Sequence, residues 1–219
     1  MNDRVQEGID MVTRRSGNWI GMAIFVGVVL LSSSTGQAQA VAAPEAAAAE
    51  SLGFTIADGG FSLDAPESWK RVQPKSNMIE TEFSIPSEGQ AADGSPEQPG
   101  RMTVMGAGGS IQANIDRWYG QFAQPDGSPT KDKSTTKKLN LAGCTVTIVD
   151  IPGTYKDSPG GPFAGGKTVE RPNYRMLAAI VETPDRGNYF LKFYGPAKTV
   201  EKHADGFRKM VEGMVAAGK

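Results

Sequence analysis

Hydrophobic positions along this chain recur with two periods. Period two marks strands, whose successive side chains point to opposite faces. Phe54 and Ile56 alternate, Asp58-Gly59-Gly60 turns the chain, and Phe61 and Leu63 alternate again. Ile79, Thr81, Phe83 and Ile85 form a strand face with Glu80, Glu82 and Ser84 opposite, and Pro86 ends it. Further strands are predicted over 101–105, 138–141, 144–151, 174–181 and 188–194. Ala142-Gly143 turns 138–141 into 144–151. There Cys144, Val146, Ile148 and Asp150 share one face, and Thr145, Thr147, Val149 and Ile151 the other. Thr183-Pro184-Asp185-Arg186-Gly187 supplies a hairpin turn before 188–194, with proline at its second position and a glycine free to take positive φ.

The helical period appears twice. Ile111, Ile115, Trp118, Tyr119 and Phe122 line one face of a helix over 111–122, with Ser110 as its N-cap. Val200, Phe207, Met210, Val211 and Met214 line a closing helix. Gly195-Pro196 stops the strand before it, Thr199 caps it and Glu201 complements its dipole. Between these elements lie polar stretches rich in glycine and proline at 87–100, 124–129 and 152–173. A run of strands, a helix, more antiparallel strands and a terminal helix describes an α+β domain, an antiparallel sheet flanked by helices.

The N-terminus departs from both periods. Arg14 and Arg15 precede an apolar run at 19–31, and Gln37-Ala38-Gln39-Ala40 follows with the small residues of an A-x-A cleavage site. The run is shorter than the roughly 20 residues of a bilayer span. Residues 1–40 therefore read as a secretory signal peptide, the alternative being an uncleaved membrane anchor. Thr13-Arg14-Arg15 also admits a twin-arginine route. Residues 41–51 are an alanine-rich spacer, and 52–219 the folded domain. The expected location is periplasmic or extracellular.

Composition narrows the function. The whole chain carries a formal net charge of −1, which gives no global field for nucleic acid. Cys144 is the only cysteine and His203 the only histidine. An intrachain disulfide is excluded, and a zinc site would need more such ligands. A Cys144–His203 pair would suit a nucleophile, but a packed thiol and an ordinary helix histidine explain both residues more simply. The glycines of 106–109 before the helix invite an anion-binding reading. Their spacing matches neither G-x-G-x-x-G nor a Walker loop, so they are read as a close turn. Lys131, Lys133, Lys137 and Lys138 are read as a solvated sheet edge rather than an acidic partner's site. Trp69 is read as packing rather than as a stacking platform.

One opening and one closing motif carry a resemblance. Phe61-Ser62-Leu63-Asp64-Ala65-Pro66-Glu67-Ser68-Trp69, the helix at 111–122, and Tyr189-Phe190-Leu191-Lys192-Phe193-Tyr194-Gly195-Pro196 leading into Phe207 together resemble the PsbP-like/Mog-like fold. The resemblance covers most of 52–216 and implies an α/β/α sandwich. It also implies binding or assembly as a class of function, without assigning a residue. No catalytic residue, cofactor or metal ligand is assigned.

The expected function is thus that of an exported, non-catalytic binding or assembly module with an envelope protein as partner. A small-ligand carrier with a pocket between sheet and helix, and an unrecognised hydrolase, are the alternatives. In the long loop at 152–173, Phe163 stands among Gly160, Gly161, Gly165 and Gly166 and is the candidate contact with a partner. Sequencing the N-terminus of the natural protein should return Val41. An intact Met1 or Asn2 on membrane-extracted protein would make the apolar run an anchor.

Overall fold

The structure is a computed structural model and describes residues 52–91, 94–158 and 168–217. The first hairpin is β1 (Gly53–Ile56) and β2 (Phe61–Asp64). Next come β3 (Lys70–Val72), β4 (Thr81–Ile85), β5 (Gly100–Ala107) and helix α1 (Ile111–Gly120). The short β6 (Phe122–Ala123) and α2 (Thr130–Lys133) lead to β7 (Thr135–Leu141), β8 (Cys144–Asp157), β9 (Val169–Glu182) and β10 (Asn188–Pro196). Helix α3 (Ala197–Glu212) and β11 (Val215–Ala216) complete the described chain. This is the expected α+β fold.

All pairing between these strands is antiparallel. The main sheet runs β3-β4-β5-β10-β9-β8-β6, and β7 pairs with β8 on the same edge as β6. A small sheet, β1-β2-β11, ties the C-terminal strand to the first hairpin. Alternation then assigns each layer. Phe83, Met102, Val104, Leu177, Leu191 and Phe193 face α3 and the small sheet, where they join Trp69, Val200, Phe207 and Met210. Val149, Ile151, Met176, Ala178, Ile180 and Phe190 face α1, meeting Ile115 and Trp118. Trp69 is packing, as expected: its ring lies 5.4 Å from Phe193 and 6.1 Å from Phe83. Its indole N–H donates to His203 Nδ1 at 3.3 Å.

Several boundaries differ from the sequence reading, each for a physical reason. Helix α1 stops at Gly120, and Phe122 pairs with Tyr155 as strand instead of completing a fourth turn. Ser110 does cap this helix, accepting from the Ala113 amide at 3.1 Å. Helix α3 begins two residues before Thr199, with Pro196 as its N-cap. Thr199 is buried inside the first turn and donates to Ser87 Oγ instead of capping. Proline does not end β10, because beyond Tyr194 the strand pairs only with β9 and its other side needs no donor. The two chains approach closely there, so that a Cβ on Gly195 would stand 2.8 Å from Gly100 Cα.

The largest correction concerns 152–173. Half of it is strand, since β8 continues to Asp157 and β9 starts at Val169. The two form a hairpin arm that outruns β10. Its register shifts between Gly153 and Tyr155, a bulge at which Gly153 takes φ 140° and Asn173 φ 56°. A Cβ on Gly153 would lie 2.7 Å from the Ala123 carbonyl oxygen.

Phe207 is fully buried beneath Phe193, with ring centroids 6.1 Å apart. Phe207→Ala should cost about 3–5 kcal/mol, the range for an aromatic lost from a packed core. Denaturant unfolding checks it; a loss under about 1 kcal/mol would mean α3 does not close this core.

Candidate functional site

Phe163, Gly160, Gly161, Gly165 and Gly166 lie outside the described residues. The arm that carries them is described up to Ser158 and from Thr168. Its end is clasped by Arg171, whose guanidinium reaches Asp157 Oδ2 at 3.1 Å.

At the root of this arm, the α1 side of the sheet carries a row of side chains that crosses the strands. From one edge inward it runs Phe122 on β6, Tyr155 on β8, Tyr174 on β9, Tyr194 on β10, Arg101 on β5 and Glu82 on β4. Tyr155 sits 5.2 Å from Phe122, stacks on Tyr174 at 6.1 Å with 9° between planes, and tilts onto Tyr194 at 5.2 Å. The Arg101 Nη1 donates to the Tyr194 hydroxyl at 2.8 Å. Its Nε and Nη2 fork onto the two carboxylate oxygens of Glu82 at 2.7 and 2.9 Å. Alternation from Val149 and Ile151 keeps Tyr155 on the α1 face, and the extra residue of the bulge lies on β9 between Arg171 and Tyr174.

Electrostatics fix most charge states here. Burial penalises the Glu82 carboxylate, but Arg101 and the Lys75 amide more than offset it, and its pKa stands below the ordinary 4.5. Bonding to Glu82 keeps Arg101 charged. Burial, then the neighbouring charges of Tyr194 and Asp157, pushes the Tyr155 hydroxyl up, and burial does the same for Tyr174 and Tyr194. The phenols therefore stay protonated and offer both donor and acceptor to a ligand.

Lys192 is the exception. It lies in the same strand as Tyr194, opposite Thr103 of β5 and Ala178 of β9. Its ammonium is 5.9 Å from the Trp118 ring and 5.3 Å from the Tyr194 ring, and it donates to Gln121 Oε1 at 3.1 Å. Burial, followed by the positive charges of Arg117 and Arg101, lowers its pKa to about 8. Sequence reading missed this cluster. The available signal was a lysine between Phe190 and Tyr194 on one face of an otherwise apolar strand, where a solvated position would not be flanked by rings.

The other sequence candidates are placed differently. Cys144 is a buried free cysteine whose thiol is pushed up by burial and then by Asp185, the reverse of nucleophile activation. His203 is taken up by Trp69. The lysines of β7 line an exposed edge strand, as the solvated-edge reading expects. Among the described residues, no group of His, Cys, Asp and Glu is placed to hold a metal. No described helix is long and apolar enough to cross a membrane. Two surface clefts, of about 280 and 300 Å³, lie beside α3, away from the tyrosine row.

Removing Arg101 leaves the Glu82 carboxylate buried and unpaired, so Arg101→Met should destabilise the fold by about 2–4 kcal/mol near pH 7. That is below the fully buried case because Arg101 retains 30% of its side-chain exposure. Glu82 stabilises the wild type above its unfolded pKa, and this contribution is lost as pH falls through its lowered folded value. In the variant the folded carboxyl instead titrates high, so the gap to wild type narrows as pH drops from 7 to 4. Denaturant unfolding at both pH values measures this. A gap that does not change with pH would show the ion pair to be unimportant.

Several solved structures are similar to this chain, and three of them, all at low identity, are these. One is the solution structure of cyanobacterial PsbP (CyanoP) from Synechocystis sp. PCC 6803, 8% identical over 80% of this chain and 97% of that one, with a TM-score of 0.45. Another is LpqN, involved in cell envelope biogenesis of Mycobacterium tuberculosis, 12% identical over 72% of this chain and 83% of that one, with a TM-score of 0.42. A Bacteroides thetaiotaomicron VPI-5482 protein is 11% identical over 77% of this chain and 49% of that one, with a TM-score of 0.40. No protein-family model matches the sequence, and no curated protein does.

Proposed function

We propose that this chain is an exported, non-catalytic binding or assembly module of the bacterial cell envelope, acting through the α1 side of its sheet and the β8–β9 arm. The observation that carries the reading is the row from Phe122 to Glu82, with part-exposed tyrosines held rigid at the foot of a projecting hairpin. Tyrosine presents a large amphipathic surface at low entropic cost, which suits recognition. The charge states of the row are locked by burial and pairing, which suits contact better than proton transfer. Export rests on the leader at 1–40, and an envelope protein is the partner it brings within reach.

The tip of the arm is the second half of the proposed surface. β8 and β9 pair without it, so replacing 158–167 by a short Gly-Ser link removes no sheet register. Loop closure entropy changes only slowly with length. The replaced protein should keep its melting temperature within a few degrees and lose capture of its envelope partner in a pull-down from the native envelope fraction. Unchanged capture would place the binding surface elsewhere; a collapsed melting transition would make the tip part of the core.

A further inference from the structure

Among the described residues, no carboxylate pairs with the Lys192 ammonium. Lys192 and Arg101 meet at Tyr194: the ammonium is 5.3 Å from its ring, and Arg101 Nη1 donates to its hydroxyl at 2.8 Å. Arg117 of α1 and Arg101 both act to lower the lysine pKa. Glu82 is the carboxylate that Arg101 grips, and Arg117 donates to the amide oxygen of Asn114 at 2.6 Å. Among the described residues Lys192 has no ion pair, and its hydrogen-bond acceptor is the neutral Gln121. A half-buried ammonium is normally matched by a carboxylate or drawn out to solvent. Here the strand holds it under the Trp118 ring, and the neutral amide replaces the expected acid.

The surroundings specify what would complete the cluster. Lys192 keeps some accessible surface, as do Arg101, Tyr194, Tyr155 and Met105. Of the Arg101 donors, Nε and Nη2 each give a hydrogen to Glu82 and Nη1 gives one to Tyr194, which leaves one N–H on each Nη free for a further acceptor. Lysine has donors beyond the one given to Gln121. Next to them lie the rings of Tyr194 and Tyr155, packed only in part against the α1-side core.

We propose that this cluster is a binding site for an oxyanion, a carboxylate or phosphate group, carried on an aromatic or apolar body. The anion bridges Lys192 and Arg101, and the body lies against Tyr194 and Tyr155. Binding supplies the counter-charge that Lys192 lacks, so it raises the lysine pKa and is strongest where the lysine is already protonated. The charged and titratable groups facing the site are Arg117 from α1, Arg101 from β5, Glu82 from β4, Tyr194 from β10 and Tyr155 from β8. The tyrosines titrate above their ordinary range and Glu82 below it, so between pH 6 and 10 the response belongs to Lys192. This deepens the reading of the α1 side as a binding face and rests on it.

Phenyl phosphate, benzoate, inorganic phosphate and neutral benzyl alcohol test the proposal on the full chain after signal removal. Trp118 fluorescence follows binding and NMR of the lysine side chain follows the pKa. Phenyl phosphate or benzoate should saturate the signal, and the Lys192 pKa should rise from about 8 by at least one unit. Affinity should fall about tenfold between pH 7 and pH 10. Lys192→Met, which retains an apolar stem, should keep the fold and lose at least tenfold in affinity, and Lys192→Gln should do the same. Inorganic phosphate should bind more weakly than phenyl phosphate, and equal affinity would remove the rings from the site. Equal response to benzyl alcohol, an unmoved lysine pKa at saturating anion, or undiminished binding in both variants would overturn the site. Those failures with partner capture intact would leave the binding-module reading standing. Loss of capture on tip replacement would not disturb a positive anion titration.

Discussion

Period two along β10 sends Tyr189, Leu191 and Phe193 to one layer and Phe190, Lys192 and Tyr194 to the other. The strand lies between β5 and β9 and pairs with both over most of its length. A one-residue slip would move Phe193 out from Trp69 and Phe207 and place Lys192 in the larger core. The cost of burying that ammonium among Phe83, Trp69 and Phe207 would be several kcal/mol, far more than one strand's hydrogen bonds can offset. Lys192 thus helps fix the register of the strand on which both layers rest, in addition to any role in binding.

Ion pairs show how the sheet handles charge elsewhere. Asp150 faces the α3 layer, where Arg175 grips it through Nε and Nη2 at 2.8 and 2.6 Å, with Arg208 of α3 3.9 Å away. Arg101 and Glu82 do the same on the α1 side. Both are forked guanidinium–carboxylate contacts across the sheet, the geometry that best repays desolvation. Lys192 departs from that pattern, because among the described residues its acceptor is the neutral Gln121 and no carboxylate pairs with it.

Legibility followed how local the forces were. The helix of Ile111, Ile115 and Trp118 is set by burial on one face, which periodicity records directly, and 144–151 is a β-branched run buried on both faces. The small sheet's hairpin and the turns at Ala142-Gly143 and 183–187 were legible from turn chemistry. The distal arm was not, because Pro152, Gly153 and Pro172 read as punctuation while the residues between them are polar. Ladder pairing with the partner strand sustains it, and the bulge absorbs Pro172 and Asn173 opposite Thr154. The cap of α3 was misplaced for a related reason: Thr199 has the chemistry of a cap, yet its hydroxyl is needed by Ser87. The tyrosine row was invisible because its members are far apart in sequence and meet only through strand order.

Helix lengths explain why that row is left part-exposed. Helix α3 has 16 residues and α1 has 10, spans of about 24 and 15 Å. Strands spaced about 4.8 Å apart make the main sheet, from β3 to β6, roughly 29 Å wide. The α3 side is completed by the small sheet and Trp69, so it closes into a dry core. On the α1 side the short helix packs over β8, β9 and β10, and the tyrosines at the root of the arm stay part-exposed. A sheet face left open in this way needs side chains that tolerate water at one end and packing at the other. Tyrosine and arginine do so, and at Tyr155, Tyr174, Tyr194 and Arg101 the chain places them. The same economy of cover that keeps the face soluble leaves its donors and rings available to a ligand.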